Sequence, residues 1–256
     1  NVISKYPDLL LAKIFRMMKE PEVPEPPVRE DGSIDSSFQF NYYRDHFWDN
    51  TDWKDERIAR TPIFHKKLEK YMLKMTLQSP DSIIAAADRV VALSRGHREN
   101  YKWVVYWVTS YYEKSEFMCM DLVFAHMAVN YYTKKEAFWM DDAGLERIRS
   151  KGLKILPLGC GKVAPNLIME DSIGKKFSLH QTKAKYTVLV FWDPDCGHCQ
   201  KEIPLLNKYY DTLKNYGVKI YSVGVEQDLD KWKKFLVEHK LEWINVQDVK
   251  LETGFR

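Results

Sequence analysis

Apolar residues recur at helical spacing through roughly the first 150 positions, then give way to short continuous apolar runs. Residues 1–20 predict an amphipathic helix carrying Leu9, Leu10, Ile14, Met17 and Met18. Pro21, Pro24, Pro26 and Pro27 break it into an extended linker over 21–30 that also holds Glu22, Glu25, Arg29 and Glu30. Residues 38–53 are aromatic but irregular, with Tyr42, Tyr43, Phe47 and Trp48, and read as loop and short turns packed on a helical body. From 61 to 150 the pattern is helical throughout. Pro62 suits a first helical turn, and Phe64, Leu68, Tyr71, Met72 and Met75 follow on one face. Ser79-Pro80-Asp81 is a helix start and Gly96 a stop. Further helices fit 101–112, 117–132 and 142–155, which makes residues 1–155 an all-α bundle.

The pattern changes near Leu156-Pro157-Leu158-Gly159. Extended runs at 165–170 and 176–179, joined by Asp171-Ser172-Ile173-Gly174, predict a hairpin. The run Tyr186–Trp192 is β-branched and aromatic without interruption, the pattern of a strand buried on both faces. A helix is expected over 197–216, ended by Gly217, then a buried strand over 218–225. A second helix over 229–239 and a third strand from 243 complete the pattern. Strand, helix, strand, helix, strand implies βαβ units and a parallel sheet, so residues 156–256 form an α/β domain.

Composition narrows the function classes. Thirty-nine basic against 36 acidic side chains give a net charge of +3, which makes no case for nucleic acid or an anionic membrane surface. No stretch approaches the ~18 consecutive apolar residues of a membrane-spanning helix. The chain opens at Asn1 with no signal-peptide pattern, as expected of a processed export substrate or a fragment. The four cysteines are too few for a disulfide-built scaffold. Cys119, among Phe117, Met118 and Met120, reads as a buried thiol, with a Cys119–Cys160 disulfide as the alternative.

Chemistry concentrates at Cys196-Gly197-His198-Cys199, just past a predicted strand and on the first turn of a predicted helix. Two intervening residues on a helical turn bring the sulfurs within bonding reach. Unpaired N–H groups and the positive dipole end stabilise the first thiolate. Cys196 is therefore the expected nucleophile, and Cys199, one turn deeper, resolves the mixed disulfide. A protonated His198 would lower the Cys196 pKa further, whereas Asp193 and Asp195 act in the opposite direction. Trp192 and Pro194 lead into the turn and shape its surface. Half a zinc site is the other use of such a motif, but no second ligand pair exists, so neither metal nor cofactor is expected. His46, His65, His97, His126, His180 and His239 show no ligand spacing.

From about Gly161 onward the chain resembles the bacterial TlpA/ResA-type thioredoxins. The resemblance rests on Ala164-Pro165-Asn166, Glu170-Asp171, Gly174-Lys175, Val190-Phe191-Trp192, the dithiol motif, and Lys201-Glu202-Ile203-Pro204. The preceding bundle is similar to a helical domain of unknown function found before such thioredoxins. That match rests on the Pro-rich linker, Thr61-Pro62-Ile63-Phe64, Ser79-Pro80-Asp81-Ser82-Ile83 and Tyr131-Tyr132. The resemblance implies a thioredoxin-like fold and a thiol–disulfide oxidoreductase working in the reducing direction on disulfide-bearing or dithiol proteins. It further implies a periplasmic or envelope location, a membrane or periplasmic redox partner, and any membrane anchor lying in a part outside this chain. It makes Glu170 a carboxylate near the dithiol that exchanges protons with Cys199. Two departures stand out. Asp195 occupies the place where the family has Trp, and the family's cis-proline loop and last strands would fall after Arg256, so the chain reads as a truncated piece of a longer protein. Two other functions compete: a protein-binding module on a thioredoxin-like scaffold, and a thiol peroxidase. The second conflicts with Asp193 standing where peroxidases place Thr or Ser.

Overall fold

The computed structural model describes residues 2–226 and 228–247. The backbone separates into two compact units, 1–163 and 164–256. In the first, helices α1 (Val2–Lys5), α2 (Leu10–Met17), α3 (Phe38–His46), α4 (Pro62–Lys74), α5 (Pro80–Ser94), α6 (Arg98–Glu113), α7 (Asp121–Tyr131) and α8 (Asp142–Ile155) follow in order. Local chemistry sets their starts. Thr61, Ser79 and Asp141 accept hydrogen bonds from the N–H groups of Phe64, Ser82 and Gly144, and Pro62 and Pro80 occupy first-turn positions. The inward faces meet in one core that includes Phe64, Leu68, Met72, Ile83, Val104, Val108, Phe124 and Met127. Lys67 is buried in it, its ammonium 4.2 Å from the Phe47 ring centre and donating to the Met17 carbonyl at the end of α2. Burial pulls its pKa down to about 8.

Three features differ from the sequence reading. The single helix expected over 1–20 is two, because Pro7 has no N–H to donate and bars helical geometry at Tyr6. The expected loop at 38–53 holds α3. Its helical stacks, Phe38 on Tyr42 at 5.9 Å and Tyr42 on His46 at 4.1 Å, are i,i+4 contacts. None of its residues is buried, so there was no apolar stripe to read. Finally, Cys119 is not a free buried thiol but is disulfide-bonded to Cys160, with Cα atoms 5.5 Å apart. Gly159 lies so close to Leu122 that a Cβ there would come within 2.3 Å of it, and this contact lays the segment after α8 against the start of α7.

α7 and α8 also approach closely at Gly152, where a Cβ would lie 2.8 Å from that of Ala128 and 3.2 Å from the Ala125 carbonyl. Gly152→Ala is expected to destabilise the helical unit by about 1–3 kcal/mol through overpacking. An unchanged urea midpoint would show that α8 shifts to accept the methyl group freely.

The second unit contains β1 (Ile168–Glu170), β2 (Lys176–Ser178), β3 (Tyr186–Trp192), α9 (Cys199–Asn215), β4 (Val218–Gly224), α10 (Leu229–Glu238) and β5 (Ile244–Gln247). The sheet order is β2-β1-β5-β4-β3. β3, β4 and β5 run parallel, and β1 pairs antiparallel with both β2 and β5. Alternation along β4 sends Ile220 into one apolar layer with Trp192, Ile203, Tyr210, Trp232 and Phe235. It sends Tyr221 and Val223 into the other, with Leu167, Met169 and Val246. Gly217, at φ 77°, supplies the left-handed residue that turns α9 into β4. β3 was expected to be buried on both faces, yet Tyr186 and Val188 are exposed, because β3 borders only β4 among the described residues. No helix among the described residues is long and apolar enough to cross a membrane.

Candidate active site

The dithiol lies where β3 hands over to α9. The Trp192 indole is buried and donates to Ser222 Oγ at 2.8 Å, and Ser222 in turn donates to Asn245 Oδ1 at 2.9 Å, which ties the ends of three strands together. The chain then turns sharply. Asp193 Oδ1 accepts the Asp195 N–H at 2.7 Å, and the Asp193 carbonyl accepts the Cys196 N–H at 3.1 Å. Gln200 reaches back to donate to the carbonyl of buried Pro194 at 2.8 Å, closing the loop around Cys196. α9 begins at Cys199, with His198 as its N-cap residue, so the motif straddles the helix N-terminus.

This arrangement treats the two sulfurs differently. Cys196 accepts hydrogen bonds from the Cys199 N–H and thiol and from the His198 N–H, and these hold its pKa below the ordinary thiol value. Burial pushes the Cys199 thiol up, and the Cys196 charge adds to that push. The Asp193 carboxylate raises both. His198 thus acts on Cys196 through its backbone N–H. No atom lies within 4 Å of where a Gly197 Cβ would stand, so this side of the turn faces open space. Asp195 is paired with the Lys231 ammonium on α10.

Glu170 ends β1. It lies in the same row of the sheet as Trp192, through Gln247 and Gly224, but three strand spacings across. That is roughly 14 Å at ~4.8 Å per strand. Its carboxylate is about half exposed and sits 3.9 Å from the Lys176 ammonium of its own hairpin, in contrast to the buried carboxylate beside Cys199 that was expected. Glu202, not singled out from the sequence, stands three residues past Cys199 on α9, the spacing that puts two side chains on one helix face. Gln200 and Lys231 were also missed. The i+4 spacing from Cys196 pointed to Gln200, whereas nothing in the sequence linked Lys231 to a residue 36 positions earlier. The carboxylate oxygens of Asp193, Asp195 and Glu226 gather within 4.8 Å of one another, and the cation at that cluster is Lys231.

Residues 160–253 match the model of the AhpC/TSA family, and residues 12–154 match that of a domain of unknown function, DUF5106. The chain is 35% identical over 83 residues to the thiol-disulfide oxidoreductase ResA of Bacillus cereus, covering 32% of this chain and 48% of that protein. Against ResA of Bacillus subtilis identity is 40% over 65 residues, covering 25% and 36%. The chain thus spans about half or less of the length of these curated relatives. A crystal structure of a thioredoxin-like protein from Bacteroides caccae aligns over 93% of this chain and 86% of its own, with a TM-score of 0.65 at 18% identity, and shares the fold. With residues 12–154 matching DUF5106, more than half of its length, this chain belongs to that family, and its second unit has a thioredoxin-like fold that matches the AhpC/TSA model.

Proposed function

We propose that the protein is a thiol–disulfide oxidoreductase that reduces disulfides in protein substrates through Cys196 and Cys199. The observation that carries this reading is the opposite treatment of the two sulfurs at the start of α9, thiolate favoured at Cys196 and thiol at Cys199. The Cys196 thiolate attacks one sulfur of the substrate disulfide, forming a mixed disulfide and releasing the first substrate thiolate, which takes up a proton. Cys199 then loses its proton and attacks the Cys196 sulfur, closing the Cys196–Cys199 bond and releasing the second substrate thiolate. Two electrons pass from the dithiol to the substrate, and the two protons taken up by the released substrate thiolates balance the one lost from Cys199 and the one that Cys196 gave to solvent on ionising. Trp192 and Pro194 hold the turn, and its side at Gly197 faces open space.

The direction rests on the resemblance to the ResA-type oxidoreductases, because the site's charges pull both ways: a favoured Cys196 thiolate stabilises the reduced form, and Asp193 opposes it. The test is the reduction potential of the pair. A value near or below the ~−270 mV of thioredoxin fits a reductant, whereas one near the ~−120 mV of a strong oxidant overturns the direction. A peroxidase reading gains no support from an anionic Asp193 three residues before the nucleophile. The Cys119–Cys160 disulfide supports an extracytoplasmic location, since such bonds persist in oxidising compartments.

The lowered Cys196 pKa also sets a pH dependence. Its thiolate accumulates as pH rises through a value below the ordinary ~8.5, while Cys199 stays protonated. Iodoacetamide should therefore label Cys196 first, with a pH midpoint below that of an ordinary thiol. Preferential labelling of Cys199 at low pH would reverse the two roles.

A further inference from the structure

We propose that Lys231 is a positioning residue of the dithiol, which pins and neutralises the Asp195 carboxylate so that it does not oppose the neighbouring Cys196 thiolate. The inference rests on the reading of Cys196 as nucleophile and adds to it a control element from outside the motif. Asp195 precedes Cys196 directly, and its Oδ2 pairs with the Lys231 ammonium, presented from a different helix 36 residues on.

The fold holds that ammonium in place. Asp228 caps α10 by accepting the N–H groups of Asp230 and Lys231 at 3.0 and 3.2 Å. The next residue, Trp232, is fully buried, and it packs so tightly on the end of β4 that a Cβ at Gly224 would come within 2.3 Å of its Nε1. Gly224 pairs with Trp192, the last residue of β3, and Phe235 lies 4.8 Å from the Trp192 ring. Lys231 and the dithiol loop are therefore mounted on the same two strand ends.

The charges around Cys196 make the pairing matter. Asp193, Asp195 and Glu226 form a cluster beside the dithiol, with Asp228 further along and Cys199 and His198 on the α9 side. Lys231 is the cation that pairs with this cluster among the described residues. Asp193 and Asp195 offer a contrast within one turn. Asp193 has no cation partner among the described residues and raises the Cys196 thiol, whereas Asp195 is held by Lys231. Both members of the pair are about half exposed, so its contribution to folding stability is small and its effect is local.

The test titrates the Cys196 thiolate by its ultraviolet absorbance in the intact chain and in Lys231→Gln, Asp195→Asn, Lys231→Arg and the Lys231→Gln/Asp195→Asn double variant. Lys231→Gln should raise the Cys196 pKa by about half a unit, leaving about threefold less thiolate below the pKa. Attack on a model disulfide near neutral pH should slow by less, about twofold, because the remaining thiolate is the better nucleophile. Lys231→Arg should restore the wild-type value, and the effect of Lys231→Gln should largely vanish in the Asp195→Asn background. High salt should shrink the shift, as screening requires. An unchanged titration in Lys231→Gln, or an equal shift with and without Asp195, overturns the proposal. The titration needs no turnover, so a chain that shows the coupling yet fails to reduce disulfides would sink the proposed function and leave this inference standing.

Discussion

Cys196→Ser is expected to abolish disulfide exchange, lowering the rate at least about a thousandfold, because a hydroxyl cannot replace the thiolate as nucleophile. Cys199→Ser should behave differently. Its Cys196 still attacks, but the mixed disulfide has no neighbouring thiol to resolve it, so substrate proteins accumulate covalently bound. The structure gives this asymmetry a cause: the Cys196 sulfur receives the N–H groups at the start of α9, whereas Cys199 is the more buried of the two. The measurement is non-reducing electrophoresis or intact mass after mixing each variant with a disulfide-bearing protein. Trapped adducts in Cys196→Ser and none in Cys199→Ser would invert the mechanism.

The second large effect falls in the helical unit. Replacing Cys119 and Cys160 together by Ser is expected to destabilise that unit by up to about 4 kcal/mol, the loop-closure value for the 41-residue separation. Five of the eight tryptophans, Trp48, Trp53, Trp103, Trp107 and Trp139, belong to this unit, and Trp192, Trp232 and Trp243 to the other. Fluorescence alone therefore mixes two transitions, and the unfolding curve should be fitted as two. Calorimetry should show one transition moving down and the other, carrying the dithiol, staying in place. A loss shared equally by both transitions would contradict the assignment of the bond to the helical unit.

Much of the fold was legible because the chain states it locally. The Pro-rich caps of α4 and α5, the apolar runs of β3 and β4, and the position of the cysteine pair between strand and helix all lie within windows of a few residues. What was not legible depends on chain brought together from afar. The exposure of β3 is decided by which strands border it, not by its own apolar run. Cys119 and Cys160 meet because Gly159 packs on Leu122, a contact no spacing announces. Glu170 lies three strands from Trp192 in its sheet row and is about half exposed beside Lys176, surroundings that its sequence context did not announce. α3 was missed for a different reason. A helix with no buried residue has no apolar stripe, and its aromatic stacks run along its own surface.

The disulfide at Cys119–Cys160 has a further consequence for how the chain matures. Four cysteines can be joined in three ways, two of which interleave or nest the bridges. Here the partners are consecutive: 119 with 160, then 196 with 199. A chain that enters an oxidising compartment N-terminus first presents the structural pair ahead of the redox pair, which favours this pairing without shuffling. Once the structural bridge is closed, the pair meant for exchange has no structural thiol left to capture.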